Sequence, residues 1–318
     1  MHYSIRHLTR FRYDAPIAES VMELRMQPRN DDRQHCVNFE LSIRPRTNLT
    51  NYRDHLGNVV HHFDIPGQHA NRTIKAESRV QVTAQASPES SVVTGWGELD
   101  KMVERSDYWE MLMPSRFAAP TELLSSLIRE LDLRRRDDPF SLLRELTTSL
   151  HDVFEYAPQS TEVDSPIDKA LKDRRGVCQD LAHIMIAMVR SIGIPCRYVS
   201  GYLFHRAEDH DRSAADATHA WVEARLPEIG WIGFDPTNDL ITGERHIRVA
   251  IGRDYSDVPP TRGVFKGEAN SELSVAVQVA TADEPLPDDK PIASSWLAAE
   301  RPESEMADHD QQQQQQQQ

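Results

Sequence analysis

The chain is poor in cysteine and has no long apolar run. Three cysteines in 318 residues are too few for a disulfide framework, so reduced thiols and a cytoplasmic setting are expected. No stretch approaches the roughly eighteen apolar residues of a membrane-spanning helix. The opening Met1-His2-Tyr3-Ser4-Ile5-Arg6 lacks a basic segment followed by an apolar one, so no signal peptide is expected. Positive charge is also scarce: 36 Lys and Arg face 50 Asp and Glu, a net charge of −14. Such a surface repels nucleic acid and anionic membranes, and neither is expected as a partner. The basic run Arg134-Arg135-Arg136 is followed at once by Asp137-Asp138 and reads as a solvated helix end.

What is present divides the chain into three parts. Residues 1–90 alternate apolar and polar residues in short runs. Examples are Tyr3 to Tyr13, punctuated by Pro16, then Val37 to Ile43, Val59 to Phe63 and Thr73 to Thr83. Turn signals separate them, which indicates a small antiparallel sandwich or barrel-like β domain. Residues 91–282 begin with helical spacing, at Thr121–Leu131 and Phe140–Phe154, and a helix start at Ser165-Pro166-Ile167. A further helix runs from Cys178 to about Ile192 and stops at Gly193. Strands are expected at 197–203, 219–226, 231–234 and near 273–279. Residues 283–318 are rich in Pro, Asp and Glu and end in eight glutamines; such a tail cannot bury a core and is expected to be disordered.

Within the second part, Arg175-Gly176-Val177-Cys178-Gln179-Asp180 puts a thiol at a helix start. Unpaired N–H groups and the helix dipole favour an anion there. The N–H of Cys178 could also hold a developing oxyanion. His219 opens the strand His219-Ala220-Trp221-Val222-Glu223, and Asp235 ends the strand before Pro236. Thiol, imidazole and carboxylate on a helix start, a strand and a strand end are the attacker, base and orienter of nucleophilic acyl transfer. The carboxylate is expected to accept the Nδ1–H of His219 and fix its tautomer.

Four stretches together resemble the transglutaminase-like cysteine protease core: Gly176 to His183, Gly193 to Tyr202, Ala217 to Glu223 and Gly230 to Asn238. The resemblance covers about residues 150–255. Leu24 to Arg29, Asp54 to Asn58 and Ile251 to Pro260 are similar to the bacterial subgroup, whose amino-terminal β domain the leader resembles. The resemblance implies an α+β fold. Its papain-like, transglutaminase-like core has a cysteine-bearing helix packed on an antiparallel sheet, preceded by a small all-β domain. It also implies Cys178 as nucleophile, His219 as base and Asp235 as orienter. Cys196 stands where the family more often has alanine.

Other residues take lesser roles. Tyr156 and Gln159 precede the cysteine helix and are candidate oxyanion donors or cleft residues. Trp221 shares the alternation face of His219 and is a candidate cleft wall. His183 and Asp180 read as structural, the latter as an acidic first-turn residue. Cys36 and Cys196 read as packing residues. His35, His55, His61, His62 and His69 lack metal-ligand spacing, and no metal or cofactor is expected. The leading reading is thiol-dependent hydrolysis of a peptide or other amide, with a peptide or protein substrate. Protein-glutamine transamidation shares the first half-reaction. A non-catalytic peptide-binding or scaffold module is the reading outside enzymology. The pattern leaves the oligomeric state open.

Overall fold

A computed structural model describes residues 1–83, 95–206 and 208–282. The tail expected to be disordered lies outside them. In chain order, four strands come first: β1 (His2–Leu24), β2 (Gln34–Arg44), β3 (Thr50–Arg53) and β4 (Val59–Val82). Helices α1 (Trp96–Arg105), α2 (Trp109–Leu112), α3 (Glu122–Glu130) and α4 (Pro139–Val153) follow. Short β5 (Glu155–Tyr156), α5 (Ile167–Asp173) and short β6 (Arg175–Gly176) lead into α6 (Cys178–Ser191). Strands β7 (Cys196–Leu203), β8 (His219–Leu226), β9 (Gly230–Asp235), β10 (Leu240–Ile241) and β11 (His246–Gly252) come next, and β12 (Thr261–Lys266) and β13 (Ser271–Thr281) close the described chain.

The chain forms two compact units. One is the six-stranded antiparallel sheet of β1 to β4 with β12 and β13. Its long strands are unbroken where the sequence pattern suggests breaks. Pro16 falls at a register irregularity between Arg12 and Ile17 of β1, and the paired segment of β4 holds Pro66 and Gly67. A proline or glycine is tolerated at such a bulge because no ladder hydrogen bond is required of it. Met22, Leu24, Phe63, Ile65 and Ile74 build this unit's core. The Asp54–Asn58 turn is closed by the Asp54 carboxylate, which accepts the N–H groups of Leu56 (3.0 Å) and Asn58 (2.9 Å). Arg29 ties the turn down through the Asn58 side-chain oxygen at 2.5 Å and the Leu56 carbonyl at 3.2 Å. β12 and β13 pair with β1. Residues 259–282, which the sequence reading assigns to the catalytic part, therefore belong to the β unit. Strand alternation marks such a segment as a strand but does not name its partner.

The second unit holds α1 to α6 and the five-stranded sheet ordered β10-β9-β8-β7-β11, antiparallel throughout. α3 starts where Thr121 accepts the N–H of Leu124, and α4 where Asp138 accepts that of Ser141 with Pro139 just inside. Both are N-caps with the expected chemistry. α6 is the central element: every residue from Asp180 to Arg190 is buried. A helix apolar on all sides needs such surroundings. Ala220, Val222 and Ala224 of β8 share its core, as do Ile232 and Phe234 of β9. The antiparallel order brings the start of β8, the end of β9 and the start of β11 to one end of the sheet.

Candidate active site

Cys178 is the first residue of α6 and is partly buried. The chain reaches it along β6, which pairs in parallel with β5 so that Gly176 lies beside Tyr156. The Asp180 carboxylate folds back over this approach, accepting the Val177 N–H at 2.9 Å and the Thr161 hydroxyl at 2.5 Å. A side chain at position 176 would sit 2.9 Å from the Asp180 Cβ and Oδ2. Only glycine leaves room for this cap.

His219 begins β8 and is buried. Its Nε2 lies 2.7 Å from Asp235 Oδ2. The other nitrogen, Nδ1, makes no hydrogen bond of ordinary geometry, while Cys178 is a close electrostatic neighbour of the ring. A loose thiol–imidazole contact is common before substrate binds. The ring is thus turned the opposite way from the sequence expectation. Nε2 carries the proton shared with Asp235, and Nδ1 is the nitrogen left for the thiol. The two orientations have the same sequence, and only the placement of β8 against β9 selects between them.

Asp235 is fully buried and accepts five hydrogen bonds. Oδ2 takes those of His219 Nε2, Asn238 Nδ2 (2.9 Å) and His246 Nε2 (3.3 Å). Oδ1 takes the backbone N–H groups of Thr237 (3.0 Å) and Asn238 (3.3 Å). Burial would push its pKa up, but His219 and His246 outweigh that and hold it far below the usual carboxylate range. Burial would likewise push the His219 pKa down. Asp235, reinforced by Cys178, reverses this and raises it to about 10. The site is built to hold an imidazolium beside a carboxylate.

Residues 3–81 match the bacterial transglutaminase-like N-terminal region, and residues 129–236 match the transglutaminase-like superfamily. Uncharacterized protein ML0607 of Mycobacterium leprae is 33% identical over 275 residues, spanning 86% of this chain and 96% of that protein. The chain belongs to the bacterial transglutaminase-like superfamily. A crystal structure of a candidate cysteine protease from Cytophaga hutchinsonii shares the fold, with a TM-score of 0.71, 22% identity and coverage of 90% of this chain and 92% of that one. A protein-glutamine gamma-glutamyltransferase of Pseudomonas aeruginosa is 36% identical over 92 residues, 27% of this chain and 14% of that protein.

Among the superfamily core's other candidates, Tyr156 comes to the site. Its hydroxyl accepts the Ala214 N–H, and burial followed by the nearby Cys178 pushes its pKa up to about 12. Gln159 is exposed, in a left-handed turn at φ 67°, and is not brought against Cys178 by any described contact. Trp221 has no exposed surface, which corrects its assignment as a cleft wall. Its ring centroid lies 6.0 Å from that of His219 and 5.2 Å from that of His246, so it backs the imidazoles. Gly201 makes this possible, since a side chain there would run into the Trp221 ring and the Ile247 carbonyl. Strand alternation gave Trp221 its face but not its depth. His183 is structural, as expected. It is stacked on Phe117 at 5.3 Å and accepts the Tyr255 N–H at 3.1 Å.

Burial pushes the thiols of Cys36 and Cys196 up to about 11. Three neighbours of the site carry no role in the sequence reading. Tyr198 is buried with Cys178 close by. Asn238 and His246 bind Asp235. Asn238 lies inside the recognised Asp235-Pro236-Thr237-Asn238 stretch, and Arg245-His246-Ile247-Arg248-Val249 is an alternating run that marks β11.

Proposed function

We propose that this protein carries out thiol-dependent acyl transfer on an amide bond, with hydrolysis as its outcome. The observation that supports this most directly is the orientation of His219: Nε2 is occupied by Asp235, which leaves Nδ1 for Cys178, a close neighbour at a helix N-terminus. In this reading His219 Nδ1 takes the Cys178 proton, and the sulfur attacks the carbonyl carbon. An S–C bond forms and the carbonyl π pair moves onto oxygen, toward the N–H of Cys178, with the Tyr156 hydroxyl as a second candidate donor. Collapse breaks the C–N bond, and the amine leaves with the proton from His219. Water then attacks the thioester, giving its proton to His219, and the carboxylic acid departs as the thiolate returns.

An open groove lined by Phe154, Glu155, Tyr156, Asp173, Arg175 and Arg212 shares Tyr156 with the site and suits an extended peptide. Transamidation, with a primary amine in place of water, is the second reading. It is favoured by the partial likeness to the Pseudomonas transferase.

Incubating wild type and Cys178→Ala with a library of glutamine-containing and amide-capped peptides, with and without a primary amine, tests both. Mass spectrometry of wild type is expected to show free-acid products that Cys178→Ala does not make. Products formed equally by both proteins, or none in wild type, would reject thiol catalysis on these amides. Amine conjugates dominating over acid would replace hydrolysis by transamidation.

A further inference from the structure

Three ligand-type side chains converge at the end of the sheet: His219, Asp235 and His246, all buried, with ligand atoms within 4.8 Å of one another. Such a set can hold a divalent cation or it can hold protons, and hydrogen bonding decides between them. The Gly243 N–H donates to His246 Nδ1 at 3.3 Å. A nitrogen that accepts a hydrogen bond carries no proton, so in the neutral ring the proton sits on Nε2. His246 Nε2 is therefore a donor, 3.3 Å from Asp235 Oδ2, and is not free to ligate a metal. The Trp221 ring stands edge-on to the imidazole, at 76°, and fixes its plane. The oxygen that accepts from His246 is the same one that accepts from the His219 imidazole.

Resting on the acyl-transfer reading above, we propose that His246 is a positioning residue of the reaction. As a neutral Nε2–H donor it fixes Asp235 Oδ2 under His219 and keeps the carboxylate ionised, so that the proton of Cys178 stays on His219. The chain Gly243–His246–Asp235–His219–Cys178 extends the triad by one fixed donor. The charged and titratable groups around His246 include Asp235 on β9, His219 on β8 and Arg245 beside it in sequence, and Glu223 of β8, Arg248 of β11 and Arg33 line a small cavity with it. The loop after β7 contributes Asp211, which pairs with Arg245 at 2.7 Å and with His205 at 3.2 Å. Burial, the strongest influence, lowers the His246 pKa despite Asp235, consistent with a neutral ring.

The test uses the full chain with two readouts. In ¹⁵N-histidine NMR of wild type, His246 is expected to show a protonated Nε2 and an unprotonated Nδ1; the opposite tautomer would overturn the proposal. The second readout is the rate of iodoacetamide labelling at Cys178 against pH, by peptide mass mapping, in wild type, His246→Leu and His246→Gln. Without the donor, Asp235 neutralises more readily, and its uncompensated charge also disfavours the thiolate. The acid limb in His246→Leu is therefore expected to move up by about one pH unit, with a loss of about tenfold in rate on that limb. His246→Gln, which keeps an N–H at the same reach, is expected to recover most of it.

An unmoved acid limb in folded His246→Leu, with Cys178 activated in wild type, would overturn the positioning role alone. Equal losses in Leu and Gln variants would reduce His246 to packing. Zinc that blocks wild-type labelling but spares His246→Gln would assign it as a metal ligand instead. A wild-type Cys178 labelling like an ordinary thiol would defeat the acyl-transfer reading and His246's part in it together.

Discussion

Asp235 is a carboxylate with five donors and no exposed surface, so protein groups supply all the solvation that water would. An amide at this position keeps the shape but loses the charge that holds His219 protonated. Asp235→Asn is expected to lower kcat on the order of a thousandfold with a smaller change in KM, measured on any amide found to be cleaved. The pair also sets a stability term with a definite sign. The pKa of His219 is raised from 6.5 to about 10 in the folded chain. Its stabilisation is therefore complete below about 6.5 and is lost as pH rises through about 10. Urea midpoints taken across that range should fall with rising pH in wild type and flatten in His219→Gln. At this scale Cys178, His219 and Asp235 were legible because each stands at an element boundary with local signals: Gly176 and the helix start, the strand start, and Pro236. The ring orientation of His219 and the contact of His246 with Asp235 were not, because both depend on which strands neighbour β8 and β11.

Among the elements, α6 carries the site and is held at both ends. At its start the Asp180 cap orders Val177 and thus Cys178. Near its end Arg190 is buried and donates to the carbonyls of Met111 (3.1 Å), Met113 (3.0 Å), Cys196 (3.1 Å) and Arg253 (2.7 Å), and to the Ser115 hydroxyl (3.1 Å). Arg190→Leu leaves buried acceptors without donors. It is expected to cost about 3 kcal/mol or more, since each unsatisfied buried group costs about 1–3 kcal/mol. The check is the urea midpoint of the unit followed by tryptophan fluorescence. Periodicity and caps located α3, α4, α5 and α6 and the strands β7, β8 and β9 to within a few residues. It split β4 in two because Pro66 and Gly67 read as a break, whereas in a long paired strand they sit at a bulge. It passed over β11, a seven-residue strand that opens on His246.

Across the whole molecule, each unit buries a neutral histidine. His7 lies in the β unit and His183 in the helical one, with pKa values lowered by burial from 6.5 to about 4 and about 3. The unfolded chain takes up those protons near 6.5, so the contribution of each of these two histidines is complete above that pH and is lost as pH falls through the folded value. His7→Phe should flatten the acid slope of the β unit's transition without touching that of the helical unit; loss of slope in both would contradict separate titration. The change from strand to helical period near residue 90 falls between the end of β4 at Val82 and the start of α1 at Trp96. The return of β12 and β13 to β1 was not legible, since nothing in an alternating run names its partner.

The measurement that bears most directly on the central claim is the rate of iodoacetamide labelling at each cysteine against pH, in wild type and His219→Ala. Wild-type Cys178 is expected to label well below the pH at which Cys36 and Cys196 react, both thiols raised to about 11. That advantage is expected to vanish in His219→Ala. Labelling of Cys178 that is no faster than an ordinary thiol, or that is unchanged when His219 is removed, would contradict the claim.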